Sequence, residues 1–228
     1  MTAEEYFGDW VRVIDSYELN RIMRWLTTLN KEILCPEPKN IFKAFKVCSL
    51  KNCKAVMLGQ DPYPQKGVAT GILFGNSAST PENELSPSLQ VVKESMINYE
   101  VPHNYIEFDN TFESLARQGV LMINTALTCE VNKVGSHFEI WKPFISKFLH
   151  NLSSYDPSLV YLLFGNQASM FKNDITKASN IIEVYHPAYY ARRQEKMPSN
   201  CFEVFNNTLR SIYGSGVEYY KETDYGNC

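Results

Sequence analysis

At 228 residues, 44% of them apolar and with glycine and proline spread throughout, the chain is sized for one domain that buries roughly 70% of its unfolded surface without staples. No apolar run approaches the ~20 residues of a membrane span, and the acidic start Met1-Thr2-Ala3-Glu4-Glu5 lacks the basic and apolar regions of a signal peptide or the arginines of a transit peptide. A net charge of −3 does not announce a nucleic-acid binder, although a neutral total can hide a local basic face.

Trp10 to Ile33 carries apolar residues spaced mostly by three and four, which predicts a helical hairpin or a long broken helix ended by Cys35-Pro36-Glu37-Pro38. Ile41 to Phe45 reads as a further short helix. Ala55-Val56-Met57-Leu58 has the length and composition of a buried strand, and Gly59-Gln60-Asp61-Pro62-Tyr63-Pro64 stops it, because two prolines fix φ and remove backbone donors. Gly71 to Asn76 is an apolar piece with glycine at either side, and Ser77 to Ser86 is a polar loop or flap. Pro87 to Tyr99 reads helical, with Ser86 or Ser88 at its cap. Asp109 to Arg117 is a second helix of that kind, capped at Asp109 or Asn110.

Gly119 to Leu127 is a second buried strand, ended by Asn124-Thr125. Glu139 to Leu152 is helical, with Trp141, Phe144, Ile145, Phe148 and Leu149 on its apolar face. Leu159 to Phe164 is a third strand stopped by Gly165-Asn166, Gln167 to Ala178 a short helix, and Asn180 to Tyr185 a fourth strand stopped by His186-Pro187. Cys201 to Tyr213 closes the fold. This divides the chain into one domain, 1–214, and a polar, tyrosine-rich tail, 215–228, expected loose. Strands alternating with helices define an α/β protein whose mainly parallel, four-stranded sheet is flanked by helices. The six cysteines form no C-x-x-C pair and the four histidines are scattered among them, so metal-ligand spacing is absent and a reducing compartment is expected. Cys129, close behind an apolar run, reads as a small hydrophobe.

Each apolar strand runs into a polar, turn-forming group: Gln60-Asp61, Asn124, Gly165-Asn166 and His186. In a parallel sheet those ends share one edge, where ligands bind in open α/β folds. Each group has a bland reading alone. Asp61-Pro62 suits an ordinary turn, Asn124 suits a neighbouring loop, and His186 suits a strand-end cap. Together a carboxylate, an amide, a phenol and an imidazole describe a site for a small polar ring.

These motifs carry a resemblance. GQDPY at 59–63, LMINTALT at 121–128, LLFG at 162–165 and HP at 186–187, in that order and spacing, resemble family 1 uracil-DNA glycosylases. FKAF at 42–45, ARQGV at 116–120, and SH at 136–137 with Trp141 following are similar to the same family, so the likeness runs from about Trp10 to Tyr213. The resemblance implies base excision repair: a flipped deoxyuridine is hydrolysed to free uracil and an abasic site. It implies Asp61 beside the sugar, handling water and the cationic transition state, and a neutral His186 donating to uracil O2. Gln60 would add a backbone contact, Asn124 would read O4 and N3–H, Tyr63 would clash with the thymine methyl, and Phe74 would stack on the base. Phe74 also reads as a plain core aromatic. Ser88 after Pro87 would take a DNA phosphate at a helix start.

The chain departs from the family pattern at three places. Pro64 stands where histidine commonly follows GQDPY, and Gly165-Asn166 where glycine-serine closes the third strand, leaving a backbone amide for a phosphate. The HPSPLS loop reads His186-Pro187-Ala188-Tyr189-Tyr190-Ala191. The phosphate-binding serine is thus Ala188, and the leucine wedge aligns with Tyr190, whose apolar body can still wedge or stack in the minor groove but whose bulk would favour single-stranded substrate. Arg192 and Arg193 follow as phosphate contacts. The implied partners are uracil-containing DNA, single- or double-stranded, and a DNA-mimicking protein inhibitor. The implied enzyme is a cytoplasmic, bacterial-type monomer without membrane contact, metal or cofactor. A rival reading keeps the glycosylase fold as a DNA-binding or replication-complex subunit. A pure binder has no need of Asp61, Tyr63, Phe74, Asn124 and His186 together. An unrelated α/β hydrolase ranks last, for want of a G-x-S-x-G elbow.

Overall fold

The four apolar runs pair into one parallel sheet. In the computed structural model, which describes residues 3–98, 105–178 and 180–223, β1 (Ala55–Gly59), β2 (Val120–Asn124), β3 (Val160–Phe164) and β4 (Asn180–Val184) lie in the order β2-β1-β3-β4. Every pairing is parallel. Central β1 and β3 are buried along their whole length, as an all-apolar run covered on both faces should be. Edge strand β4 is only half-buried. The register sets Gly59 opposite Asn124, Leu58 opposite Leu163 and Phe164 opposite Val184. All four strands therefore finish level, and the residues after them emerge at one end of the sheet.

Five helices matter for the argument: α1 (Ser16–Leu26), α2 (Pro87–Ile97), α3 (Phe138–Tyr155), α4 (Pro187–Arg193) and α5 (Asn200–Tyr213). The Trp10–Ile33 stretch is broken. A short 3-10 turn covers Gly8–Arg12, then Asp15 accepts the Glu18 amide at 3.0 Å and starts α1 as a side-chain cap. Helices α1 and α3 pack together, and the Arg21 guanidinium donates to the Ile140 carbonyl at 2.7 Å. Trp10 and Trp141 are fully buried, each with its indole N–H satisfied at 2.7 Å, by the Cys48 carbonyl and the Thr128 hydroxyl. Cys129 is buried among the core residues. Among the described residues no helix is long and apolar enough to cross a membrane.

One apolar piece takes definite shape, and three local expectations change. The apolar piece Gly71–Asn76 forms a largely buried loop, with Phe74 at φ 60°. The 109–117 helix spans only Glu113–Arg117. The Asp109 carboxylate does accept the Ser114 amide, at 2.7 Å, but Phe112 sits left-handed between them. The helix after β3 begins earlier than expected, at Gly165, and ends at Ser169. Past Gly214 the expected loose tail is instead a packed strap. Val217 and Tyr219 are buried, Asn206 exchanges two hydrogen bonds with Val217 (2.7 and 3.0 Å), and the Tyr219 hydroxyl donates to the Phe202 carbonyl at 2.9 Å. Lys221–Thr223 then pairs antiparallel with Tyr105–Glu107. Two alternating apolar anchors give no helical period to read, yet they suffice to hold an extended segment. Residue 99 at the expected end of α2, and 224–228, lie outside the described residues.

Candidate active site

The loop after β1 starts at a glycine for lack of room. A Cβ on Gly59 would meet Leu73 Cδ1 at 2.2 Å and Asn124 Oδ1 at 2.9 Å, so any side chain there displaces the amide of β2. The loop carbonyls are then tied down one after another. Gly59 accepts from the Thr125 amide (3.0 Å), and Gln60 from the Ala126 amide (3.1 Å) and the Thr125 hydroxyl (2.6 Å). Pro62 accepts from the Cys129 thiol (3.5 Å), and Pro64 from the Asn132 amide (2.9 Å). With its backbone spent on these partners, the loop holds Asp61 and Tyr63 without freedom to drift.

A cavity of about 280 Å³ opens at this end of the sheet, walled by Gln60, Asp61, Tyr63, Phe74, Asn124 and His186, with Ser88, Ala188 and Arg192 at its edge. A larger apolar hollow of about 580 Å³, beside Tyr6, Leu19, Met23 and Phe42, holds no carboxylate or imidazole. The smaller cavity is the one where a carboxylate, an amide and an imidazole meet at the strand ends. Asp61 Oδ2 accepts the Gly135 amide at 2.7 Å. Burial pushes its pKa above the ordinary 3.8, and that one amide holds the rise back. The Tyr63 hydroxyl donates to the Phe74 carbonyl at 3.1 Å, and burial raises its pKa, keeping it a neutral wall. The Phe74 ring meets Phe164 and His186 edge-on, with centroids at 5.1 and 5.7 Å.

Two groups in the cavity are prepared for a ligand. Among the described residues, buried Asn124 Oδ1 has no hydrogen-bond partner, which costs ~1–3 kcal/mol unless a ligand supplies one. His186 Nδ1 accepts the Ala188 amide at 3.2 Å. Burial first, and the Arg192 charge second, bring its pKa down from 6.5 to about 4. The ring is thus neutral near pH 7, with its one proton on Nε2.

The remaining sequence-predicted residues frame this cavity. Gly165, at φ 81°, lies against His186: a Cβ there would come within 2.8 Å of His186 Cβ. Asn166 is exposed behind it, and exposed Pro87 opens α2, which packs on α4. Tyr189 and Arg193 lie on the outer side of α4, stacked on each other with the guanidinium 5.2 Å from the ring centroid. Tyr190 is half-buried against the core instead of facing the mouth. Sequence reasoning missed three contributors. Gly135 supplies the amide to Asp61, Val134 brings an exposed apolar side chain to the cavity, and Asn76 clasps Ser86 from both ends of its amide (2.7 and 2.9 Å), fixing the start of α2. A glycine in a polar loop and an asparagine between glycine and serine carry no periodic signal that would have singled them out. The sequence also read His186-Pro187 only as a stop, whereas proline at the first position starts α4.

The chain is similar to known proteins in sequence and fold. The family model described as the uracil DNA glycosylase superfamily matches residues 45–210. A uracil-DNA glycosylase of Campylobacter jejuni subsp. jejuni is 36% identical over 181 residues, 77% of this chain and 75% of that protein. The crystal structure of mimivirus uracil-DNA glycosylase superposes with a TM-score of 0.62 at 22% identity, covering 82% of this chain and 75% of that one. A variant of that mimivirus protein, solved in complex with UGI, superposes equally well, at 0.62 and 22% identity over 82% of this chain and 76% of that one. At such identity the two structures speak for the fold.

Proposed function

The chain belongs to the uracil-DNA glycosylase superfamily and is a uracil-excising DNA repair enzyme, and on that premise we propose how its own residues carry the reaction. The observation that bears most weight is the unpartnered Asn124 Oδ1 in a cavity that also holds Asp61 and a neutral His186. Uracil presents N3–H beside O4, which one amide meets with its acceptor and its donor. Cytosine presents the reverse pattern and would leave buried polar groups unpaired. Tyr63 closes the space beside C5, where thymine carries a methyl group, and Phe74 lies against the base.

As the glycosidic bond lengthens, the sugar gains positive charge and the departing ring negative charge. Asp61 faces the sugar and stabilises the cation while orienting water toward C1′. His186 donates from Nε2 to uracil O2. A neutral imidazole suits that role, since it supplies a fixed dipole where charge develops. Water adds its oxygen at C1′ and its proton ends on uracil, leaving the abasic sugar. The Gln60 amide supports the same edge. Ser88 at the start of α2, the Gly165-Asn166 backbone, and Arg192 and Arg193 take phosphates, while Pro87, Ala188 and Tyr189 shape the rim. Tyr190 swings from its half-buried position to fill the hole left in a duplex.

The cavity is complete within one chain, so a monomer suffices, working in the cytoplasm. The glycosylase domain covers 1–214, and the strap through 223 is braced on its core. A DNA-mimicking inhibitor such as the one bound to the mimivirus relative would approach by the same mouth. The test is uracil release from an oligonucleotide with one deoxyuridine, single-stranded and paired, in EDTA, beside an Asp61→Asn control. Release by the native chain alone supports the assignment. Equal release by the control removes Asp61 from it.

A further inference from the structure

Helix α4 presents three faces. Ala188 and Arg192, four residues apart, line the cavity, while buried Pro187 and half-buried Tyr190 pack inward. The third face carries Tyr189 and Arg193, four apart, and Tyr185, in the turn between β4 and the helix, stacks onto it. Tyr185 and Tyr189 stack with centroids 5.1 Å apart and an interplanar angle of 21°, and Arg193 covers the other end of Tyr189 while donating to Glu195 at 2.8 Å. Tyr185 remains 64% exposed. The only carboxylate beside it on β4, Glu183, is paired with Lys172. The result is a preformed column of rings with one open face, one residue from the imidazole in the cavity.

We propose that Tyr185 is a stacking platform for the unpaired base next to the target in single-stranded DNA. This rests on the function proposed above. A base inside a duplex has both faces covered by its neighbours, so only an unstacked base can lie on Tyr185. Arg193, over Tyr189, and Arg192, at the cavity edge, hold the backbone of such a strand. The column is already assembled, so adding one more ring orders no side chain that is not ordered already. His186 and Tyr185 are adjacent in the chain, so a strand whose uracil enters the cavity passes its neighbouring base over this face.

The test is binding by fluorescence anisotropy to one uracil-free oligonucleotide, single-stranded and as a duplex. Tyr185→Ala is expected to weaken single-strand binding roughly tenfold and duplex binding less than about twofold, and Tyr185→Trp to keep the native affinity. Replacing the bases of the single strand by abasic spacers should cost the native chain a similar factor and the Tyr185→Ala variant nothing further. Equal losses on both DNA forms, or a spacer penalty that persists in the variant, would overturn the platform. Uracil release is measured in parallel. If the native chain releases no uracil while the binding differences hold, the catalytic reading falls and the platform stands.

Discussion

His186 and Tyr185 are neighbours in sequence, yet they belong to regions built on opposite terms. The cavity is buried and rigid. Its loop carbonyls are occupied, its imidazole is kept neutral, and the Asn124 acceptor stands open among the described residues. The outer face of α4 is exposed, aromatic and cationic, with its stack open to water. The first region can tell one base from another because a wrong base leaves buried groups unpaired. The second contacts any base and any phosphate. Identity is read inside and strandedness outside, so damage to the two should leave different signatures.

The sharpest separation comes from Asp61→Asn, expected to lower the rate of uracil release roughly 10³-fold on single and double strands alike, with DNA affinity kept. Single-turnover kinetics check this. Next, His186→Gln should cost about 10²-fold through loss of one aimed donor. The native pH profile belongs to the same test. With His186 neutral down to about pH 4 and Asp61 titrating above 3.8, the rate should rise with pH through the acid range and show no limb near 6.5. The same burial acts on stability. The unfolded chain takes up a proton on His186 below pH 6.5 that the folded chain refuses until about 4, so this residue's contribution is lost as pH falls across that window. Urea midpoints at pH 7 and pH 5 read it. Tyr63→Ala should relax the discrimination against thymine tens-fold, seen as thymine release from an otherwise normal oligonucleotide. The smallest effect tests the rim. Tyr190→Ala should lower activity severalfold on duplex and less on single strands, the mirror image of Tyr185→Ala. Equal loss on both DNA forms would remove Tyr190 as the wedge.

Much of the cavity was legible because strong, local signals produced it. Apolar runs ended by Gly59, Asn124, Gly165 and His186 marked both the strands and the end of the sheet where their polar residues meet. What stayed hidden was carried by single contacts. Strands of two or three residues, at Leu34–Cys35 with Cys129–Glu130 and at Tyr105–Glu107 with Lys221–Thr223, are too short to show alternation. The Gly135 amide and the Asn76 clasp depend on distant loops folding back, which no period encodes. Helix α4 was masked by its own first residue. The tyrosine stack became visible only when the turn from β4 into α4 set Tyr185 against Tyr189.

Gly165 touches neither the base nor, through a side chain, the DNA, yet it leaves evolution little choice. Its left-handed backbone and the 2.8 Å approach to His186 Cβ mean that any larger residue moves the imidazole. Neighbouring Asn166 is exposed and free to vary. In a saturation library selected for repair, the two adjacent positions should diverge completely, one frozen and one permissive. A drifting lineage could then repaint the rim of this enzyme many times while the hinge between third strand and imidazole stays fixed.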